Sequence, residues 1–133
     1  MRGHEVWHTG IDDLCAENES VSATVTRVFP SEAPRRFKAA EVHVTRLERF
    51  DAILMRSDPP YTMNYIFAVQ MLSLVQESRT FIMNKPQALL NFSEKLFVHH
   101  FKKFIPKTIV SKKIAQLNAF LKRVKRIVIK PLD

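Results

Sequence analysis

Four charged side chains stand where this chain has the best means to do chemistry. Arg56 and Asp58 lie in the run Asp51-Ala52-Ile53-Leu54-Met55-Arg56-Ser57-Asp58-Pro59-Pro60, Lys85 in Asn84-Lys85-Pro86, and Lys130 in Ile129-Lys130-Pro131. Arg56, Lys85 and Lys130 each follow a short apolar run. The run Ala52 to Met55 has no polar alternation and reads as a parallel strand covered on both faces. Open α/β sheets bind their ligands beyond the carboxyl ends of such strands. A lysine placed there is a point charge that meets phosphate oxygens, and an arginine is a planar fork that suits a carboxylate. Asp58 precedes a proline and is pushed to extended geometry, while Pro59 and Pro60 have a fixed φ, so the loop loses little entropy on meeting a ligand. On the residues alone, the plainer reading of each lysine is an exposed strand-end cation. For Arg56 the plainer reading is a contact with Asp58 or with backbone that shapes the loop. No residue is assigned a catalytic role.

Other chemistries find little support. His4 and His8 are four apart on a predicted strand, His99 and His100 are adjacent, and no Cys/His cluster has zinc spacing, so no metal site is expected. With only two glycines, neither a Walker loop nor a dinucleotide fingerprint can form. The single cysteine, Cys15, cannot make an internal disulfide and reads as a small apolar residue. The polar opening Met1-Arg2-Gly3-His4-Glu5 is not a secretory signal, and the apolar stretch Tyr65 to Val75 is too short to span a bilayer. A soluble cytoplasmic protein is the expectation. The net charge of +8 concentrates after Lys95, where ten lysines and arginines from Lys102 to Lys130 face one acid, Asp133. Such a block could bind nucleic acid. However, Phe97, Phe101, Phe104 and Phe120 fall at core positions and not on a stacking surface, so a solvated helix face is preferred.

The elements that must hold these residues are legible in order. His4 to Thr9 reads as a strand, and Gly10 to Asp13 as a turn whose aspartates bond backbone. Ser22 to Phe29 reads as a half-exposed strand, and Glu41 to Thr45 as a short edge strand. Tyr65 to Val75 is a helix apolar almost all round, hence buried, and Thr80 to Met83 is a second buried strand parallel to Ala52 to Met55, in a right-handed βαβ unit. The domain boundary is expected at Asn84-Lys85-Pro86. Beyond it Ser93 caps a helix through Phe104, and Ser111 caps another with Ile114, Leu117, Leu121 and Val124 as its stripe. Ile127 to Ile129 then form a strand that delivers Lys130.

Five stretches in this order resemble the prokaryotic-type glutathione synthetases of the ATP-grasp superfamily. They are Asp51-Ala52-Ile53-Leu54-Met55-Arg56-Ser57-Asp58-Pro59-Pro60-Tyr61, Tyr65-Ile66, Asn84-Lys85-Pro86-Gln87-Ala88-Leu89, Glu94-Lys95-Leu96-Phe97 and Ile129-Lys130-Pro131-Leu132-Asp133. Arg2-Gly3-His4-Glu5-Val6 is similar to the end of that family's first helix and the start of its second strand. The resemblance implies an α/β chain in two parts. Residues 1–83 would be a partial Rossmann-like, pre-ATP-grasp parallel-sheet domain on the substrate side, lacking its first strand and helix. Residues 84–133 would be the first helices and strand of an ATP-grasp domain, cut before its glycine-rich loop. The resemblance places Lys85 and Lys130 at ATP, and Arg56 and Asp58 facing the γ-glutamylcysteine and glutathione site. The implied reaction condenses γ-glutamylcysteine with glycine through an acyl phosphate, using ATP and Mg2+, with the magnesium ligands outside this chain. Family members are homo-oligomers through the amino-terminal domain. The 133 residues alone are therefore expected to be an interior piece without ligase activity. The alternatives are a non-catalytic interaction module, half of a split enzyme, or a related ATP-grasp ligase with another amino-acid substrate.

Overall fold

The computed structural model describes residues 3–30, 37–57, 60–76 and 78–132. They form two compact units, Met1–Leu90 and Asn91–Asp133. No described helix is long and apolar enough to cross a membrane.

The first unit is built on a long central strand. Its sequence alternates β-branched and small residues, the composition that suits a pleated surface. In β3, Ser20–Pro30, the side chains of Val21, Ala23 and Val25 are buried. Two short strands pair antiparallel along one edge of β3: β1, Val6–His8, opposite Thr26 to Val28, and β2, Leu14–Glu17, opposite Ser20 to Ala23. A 3-10 turn at Ile11–Asp13 joins them, where the Gly10 amide donates to Asp13 Oδ2 at 3.0 Å and Asn64 Nδ2 donates to Asp12 Oδ1 at 3.3 Å. So Asp13 bonds backbone as the turn chemistry predicts, whereas Asp12 holds a side chain from a later helix. The opposite edge of β3 pairs with β4, Phe37–Arg46. The edge strand expected at Glu41 to Thr45 is thus ten residues long, and β2 was not anticipated at all. The sheet formed here is antiparallel; parallel pairing is confined to the next pair of strands.

That pair is β5, Ala52–Leu54, and β6, Phe81–Met83, joined through helix α1, Met63–Leu72, as the βαβ pattern predicts. The register is Ala52 to Phe81, Ile53 to Ile82 and Leu54 to Met83. Thr62 caps α1 by accepting the Tyr65 amide at 3.2 Å. From α1, Tyr65, Val69 and Leu72 join Met55, Val75 and Ile82 in one core with Val21, Ala23, Val25 and Leu47 of the antiparallel part. The expectation of strands covered on both faces is corrected. Ile82 is 4% exposed, but its neighbours on the other face are open, Phe81 at 61% and Leu54 at 58%. The side chains alternate across a strand, and the core covers only one face of this two-stranded sheet.

The second unit is helical. Helix α2, Pro86–Asn91, belongs to the first unit up to Leu90, and its Leu89 and Leu90 pack on that unit's own core. Two corrections concern the helix expected from Ser93 to Phe104. Ser93 stands before α3, Glu94–Phe97, without a side-chain cap bond, and the chain tightens to a 3-10 turn at Val98–Phe101. Phe97 gathers Phe92 at 4.6 Å, His100 at 5.2 Å and Phe101 at 5.5 Å between ring centroids, whereas Phe104 is 86% exposed. Helix α4, Ile114–Val124, begins after Lys113, whose amide donates to Ser111 Oγ at 3.0 Å. Of its expected stripe, Ile114 and Leu121 are exposed and Leu117 and Val124 half-buried, and the buried residue is Phe120, with the Arg123 guanidinium 5.4 Å from its ring centre. The strand expected at Ile127 to Ile129 does not form. Among the described residues no segment pairs with it, and Val128 and Ile129 lie open. A strand's backbone groups need a neighbour to bond, and β-branched composition does not supply one.

Candidate functional site

The carboxyl ends of β5 and β6 meet as one edge. Because Leu54 lies opposite Met83, the residues that follow run side by side: Met55 and Arg56 from β5, Asn84 and Lys85 from β6. The Met55 amide donates to the Met83 carbonyl at 2.6 Å, and Asn84 Nδ2 donates to the Met55 carbonyl at 3.4 Å, so the pair stays tied one step past the strands. Met55 is buried and anchors the edge, while Arg56 and Lys85 are exposed beyond it.

Lys85 also begins α2, its carbonyl accepting the Ala88 amide at 3.0 Å and the Leu89 amide at 3.1 Å. Pro86 at the first helical position has the φ that a helix start needs. On the β5 side, the Thr62 amide donates to the Pro60 carbonyl at 2.8 Å, and the Tyr61 hydroxyl donates to the Leu89 carbonyl. The hydroxyl bond ties the loop after β5 to helix α2. Tyr61 stacks at 5.0 Å on Tyr65, whose phenol is pushed above its ordinary pKa, first by burial and then by Tyr61. Asn84, Tyr61 and Thr62 were given no role from sequence, although Asn84 and Tyr61, the two hydrogen-bonding side chains that frame the edge, stand inside stretches already quoted.

The fold thus brings Arg56 and Lys85 to the same end of one parallel pair. Asp58 lies outside the described residues. Lys130 belongs to the second unit, exposed on a segment outside helix and strand and not at a strand end. That segment is held within its own unit by Lys95 Nζ, which donates to the Leu132 carbonyl at 3.3 Å. Lys95 comes from the Glu94-Lys95-Leu96-Phe97 stretch, so two of the quoted motifs touch each other in the second unit. Chemically, a guanidinium and an ammonium on one rigid edge can hold an anionic group of a ligand. Among the described residues no group of three or more His, Cys, Asp or Glu could hold a metal ion.

Comparison with known proteins gives consistent matches along the chain. Residues 1–89 match the prokaryotic glutathione synthetase N-terminal domain, and residues 94–133 match the prokaryotic glutathione synthetase ATP-grasp domain. The junction between the two matches falls where the chain divides into its two units. A protein of Coxiella burnetii named glutathione synthetase is 35% identical over 132 residues, covering 98% of this chain and 41% of the relative. One of Neisseria meningitidis serogroup B, with the same name, is 43% identical over 97 residues, covering 73% of this chain and 30% of the relative. One of Citrobacter rodentium, again so named, is 36% identical over 133 residues, covering 99% of this chain and 42% of the relative. The chain therefore spans well under half the length of these relatives.

Proposed function

This chain belongs to the prokaryotic glutathione synthetase family, and from that premise we propose that it supplies the substrate-side domain and the opening of the ATP-grasp domain of a ligase joining γ-glutamylcysteine to glycine. The observation that carries the reading is the pair of matches, 1–89 and 94–133, which follow one another in the order an intact enzyme needs. The handover between the two domains begins past β6, at Asn84-Lys85-Pro86. In this reading Lys85 and Lys130 meet ATP, and Arg56 and Asp58 face the peptide substrate. Magnesium and cationic side chains would supply the charge neutralisation that phosphoryl transfer from ATP requires. The part of this chain is positioning: the tied edge of β5 and β6 fixes Arg56 and Lys85 before a ligand arrives, which lowers the ordering cost.

Two experiments test it. In a protein carrying the complete ATP-grasp domain, Lys85→Met and Lys130→Met should each weaken ATP binding about ten- to a hundredfold, the loss expected for one charge-assisted hydrogen bond. An unchanged affinity in both would remove the nucleotide assignment. The 133 residues by themselves should release no ADP from ATP with γ-glutamylcysteine and glycine beyond a magnesium-free control. Magnesium-dependent turnover would show that they suffice.

A second reading, an assembly module, is supported by apolar side chains open on the first unit: Leu54, Phe81 and Met83 on the sheet, and Met63, Phe67 and Leu74 on and just after α1. Open apolar groups of this kind suit a homo-oligomer or another part of the same enzyme. Light scattering decides it, and a monomer mass at high concentration would dismiss it.

A further inference from the structure

Helix α2 follows directly on Lys85 and is too short to hold itself. It is six residues long, and helices shorter than about twelve residues are marginal in water. Its last four carbonyls have no partner inside the helix. Its neighbours therefore supply what keeps it in place. Leu89 and Leu90 pack on the core along one side. At the far end, the Leu89 carbonyl is one of those four, and it accepts the Tyr61 hydroxyl.

Tyr61 is itself well anchored. Its backbone lies in the tight turn closed by the Thr62 amide on the Pro60 carbonyl at 2.8 Å. Its ring lies 5.0 Å from that of Tyr65, which is 6% exposed and belongs to α1. A phenylalanine would keep the ring contact and the turn. The Leu89 bond is what the hydroxyl adds.

That bond closes a ring of structure around the ligand edge. At its base, the Met55 amide meets the Met83 carbonyl and Asn84 Nδ2 meets the Met55 carbonyl. From there one arm leaves β5 through Arg56 and reaches Tyr61; the other leaves β6 through Lys85 and reaches Leu89. The hydroxyl joins the two arms beyond both cations. Without it the arms are tied at the base alone.

We propose that the Tyr61 hydroxyl is a positioning group, which latches the chain following Arg56 to the helix following Lys85 and so sets how the two cations stand to each other before a ligand arrives. The hydroxyl touches no ligand. It spares the ligand the cost of ordering two loose arms, so its loss weakens binding. The identity of the ligands rests on the ligase reading; the latch does not.

The test has two arms and one variant, Tyr61→Phe. In the 133-residue chain, amide hydrogen exchange at Ala88 to Asn91 should quicken about three- to tenfold, the loss expected for one neutral hydrogen bond, while the amides of Val21 to Val25 in β3 exchange as in the parent. Unchanged exchange in α2 would overturn the latch. An equal acceleration in α2 and β3 would also overturn it, since the hydroxyl would then serve the whole unit and not this edge. In a protein carrying the complete ATP-grasp domain, the dissociation constants of magnesium-ATP and of γ-glutamylcysteine, each measured alone, should both rise about three- to tenfold, because one latch serves both arms. Both constants unchanged beside a loosened α2 would overturn the positioning role and leave the ligase reading standing. Failure of that reading shows elsewhere, as Lys85→Met and Lys130→Met variants that bind ATP as the parent does.

Discussion

Adjacent residues of β6 should respond to truncation very differently, although Phe81 is the larger side chain and its neighbour Ile82 the smaller. Ile82→Ala removes three carbons from a side chain that is 4% exposed. At about 0.8 kcal/mol for each buried methylene the transfer loss is about 2.4 kcal/mol. The cavity left among Met55, Val69 and the rest of the core raises the cost to about 3–4 kcal/mol. A fully buried phenylalanine would lose about 3–5 kcal/mol on truncation. Phe81 is 61% exposed, so about two-fifths of that transfer applies and no closed cavity forms, leaving about 1 kcal/mol. With a urea slope near 1.5 kcal/mol/M, the midpoints should fall by about 2 M for Ile82→Ala and by less than about 1 M for Phe81→Ala. The single tryptophan, Trp7, reports the transition, because it packs against the same core and edge-on to His43 at 4.9 Å. A Phe81→Ala shift as large as that of Ile82→Ala would refute the one-sided sheet. It would mean that the open face is covered in solution, which is the geometry an assembly requires.

The remaining expectations concern the frame of the Lys85 edge. Thr62→Ala removes the bond to the Tyr65 amide and should lower stability by about 1 kcal/mol, while Thr62→Ser should keep most of it, read by the same urea transition. Tyr65 should ionise above the ordinary tyrosine range, near 10, as followed by phenolate absorbance. Since burial favours the neutral phenol, the folded protein keeps that proton where the unfolded chain has lost it. Stability from this group is therefore full below about pH 10 and declines as pH rises through the raised value. Tyr65→Phe should flatten that part of the alkaline decline, and an unchanged alkaline profile would contradict the assignment.

How much of this was legible depended on where each segment finds its backbone partners. Helix α1 carries its own bonds, so the apolar run from Tyr65 to Val75 places it within two residues at its start and three at its end, although its cap at Thr62 was not read. The parallel pair was readable as well, because the apolar runs at Ala52 and Phe81 flank a helix of the right length. A strand is different: its bonds come from another segment. Leu14-Cys15-Ala16-Glu17 has neither alternation nor β-branching, yet it pairs with β3 because the Asn18-Glu19 turn folds it back in register. Ile127-Val128-Ile129 has the strongest strand composition in the second unit and pairs with nothing among the described residues. The Ser93 helix failed for another reason. Its middle, Val98-His99-His100-Phe101, is made of weak helix formers, and the aromatic cluster around Phe97 is compatible with the tighter 3-10 turn. Charged residues divide in the same way. Arg56 and Lys85 can be found from sequence because each follows its own strand, and the pairing of those strands brings them together. Glu17, Glu48, Arg49 and Arg79 follow no shared motif and read one by one as solvated charges. They line one open cavity only because the β2–β3 turn, the turn before β5 and the stretch before β6 end at one place, a juxtaposition set by the register of β2 on β3 and of β5 on β6. A shift of either register by one residue would move these connections against one another, so the charge cluster is a property of the strand pairing and can be destroyed without altering any of its own residues.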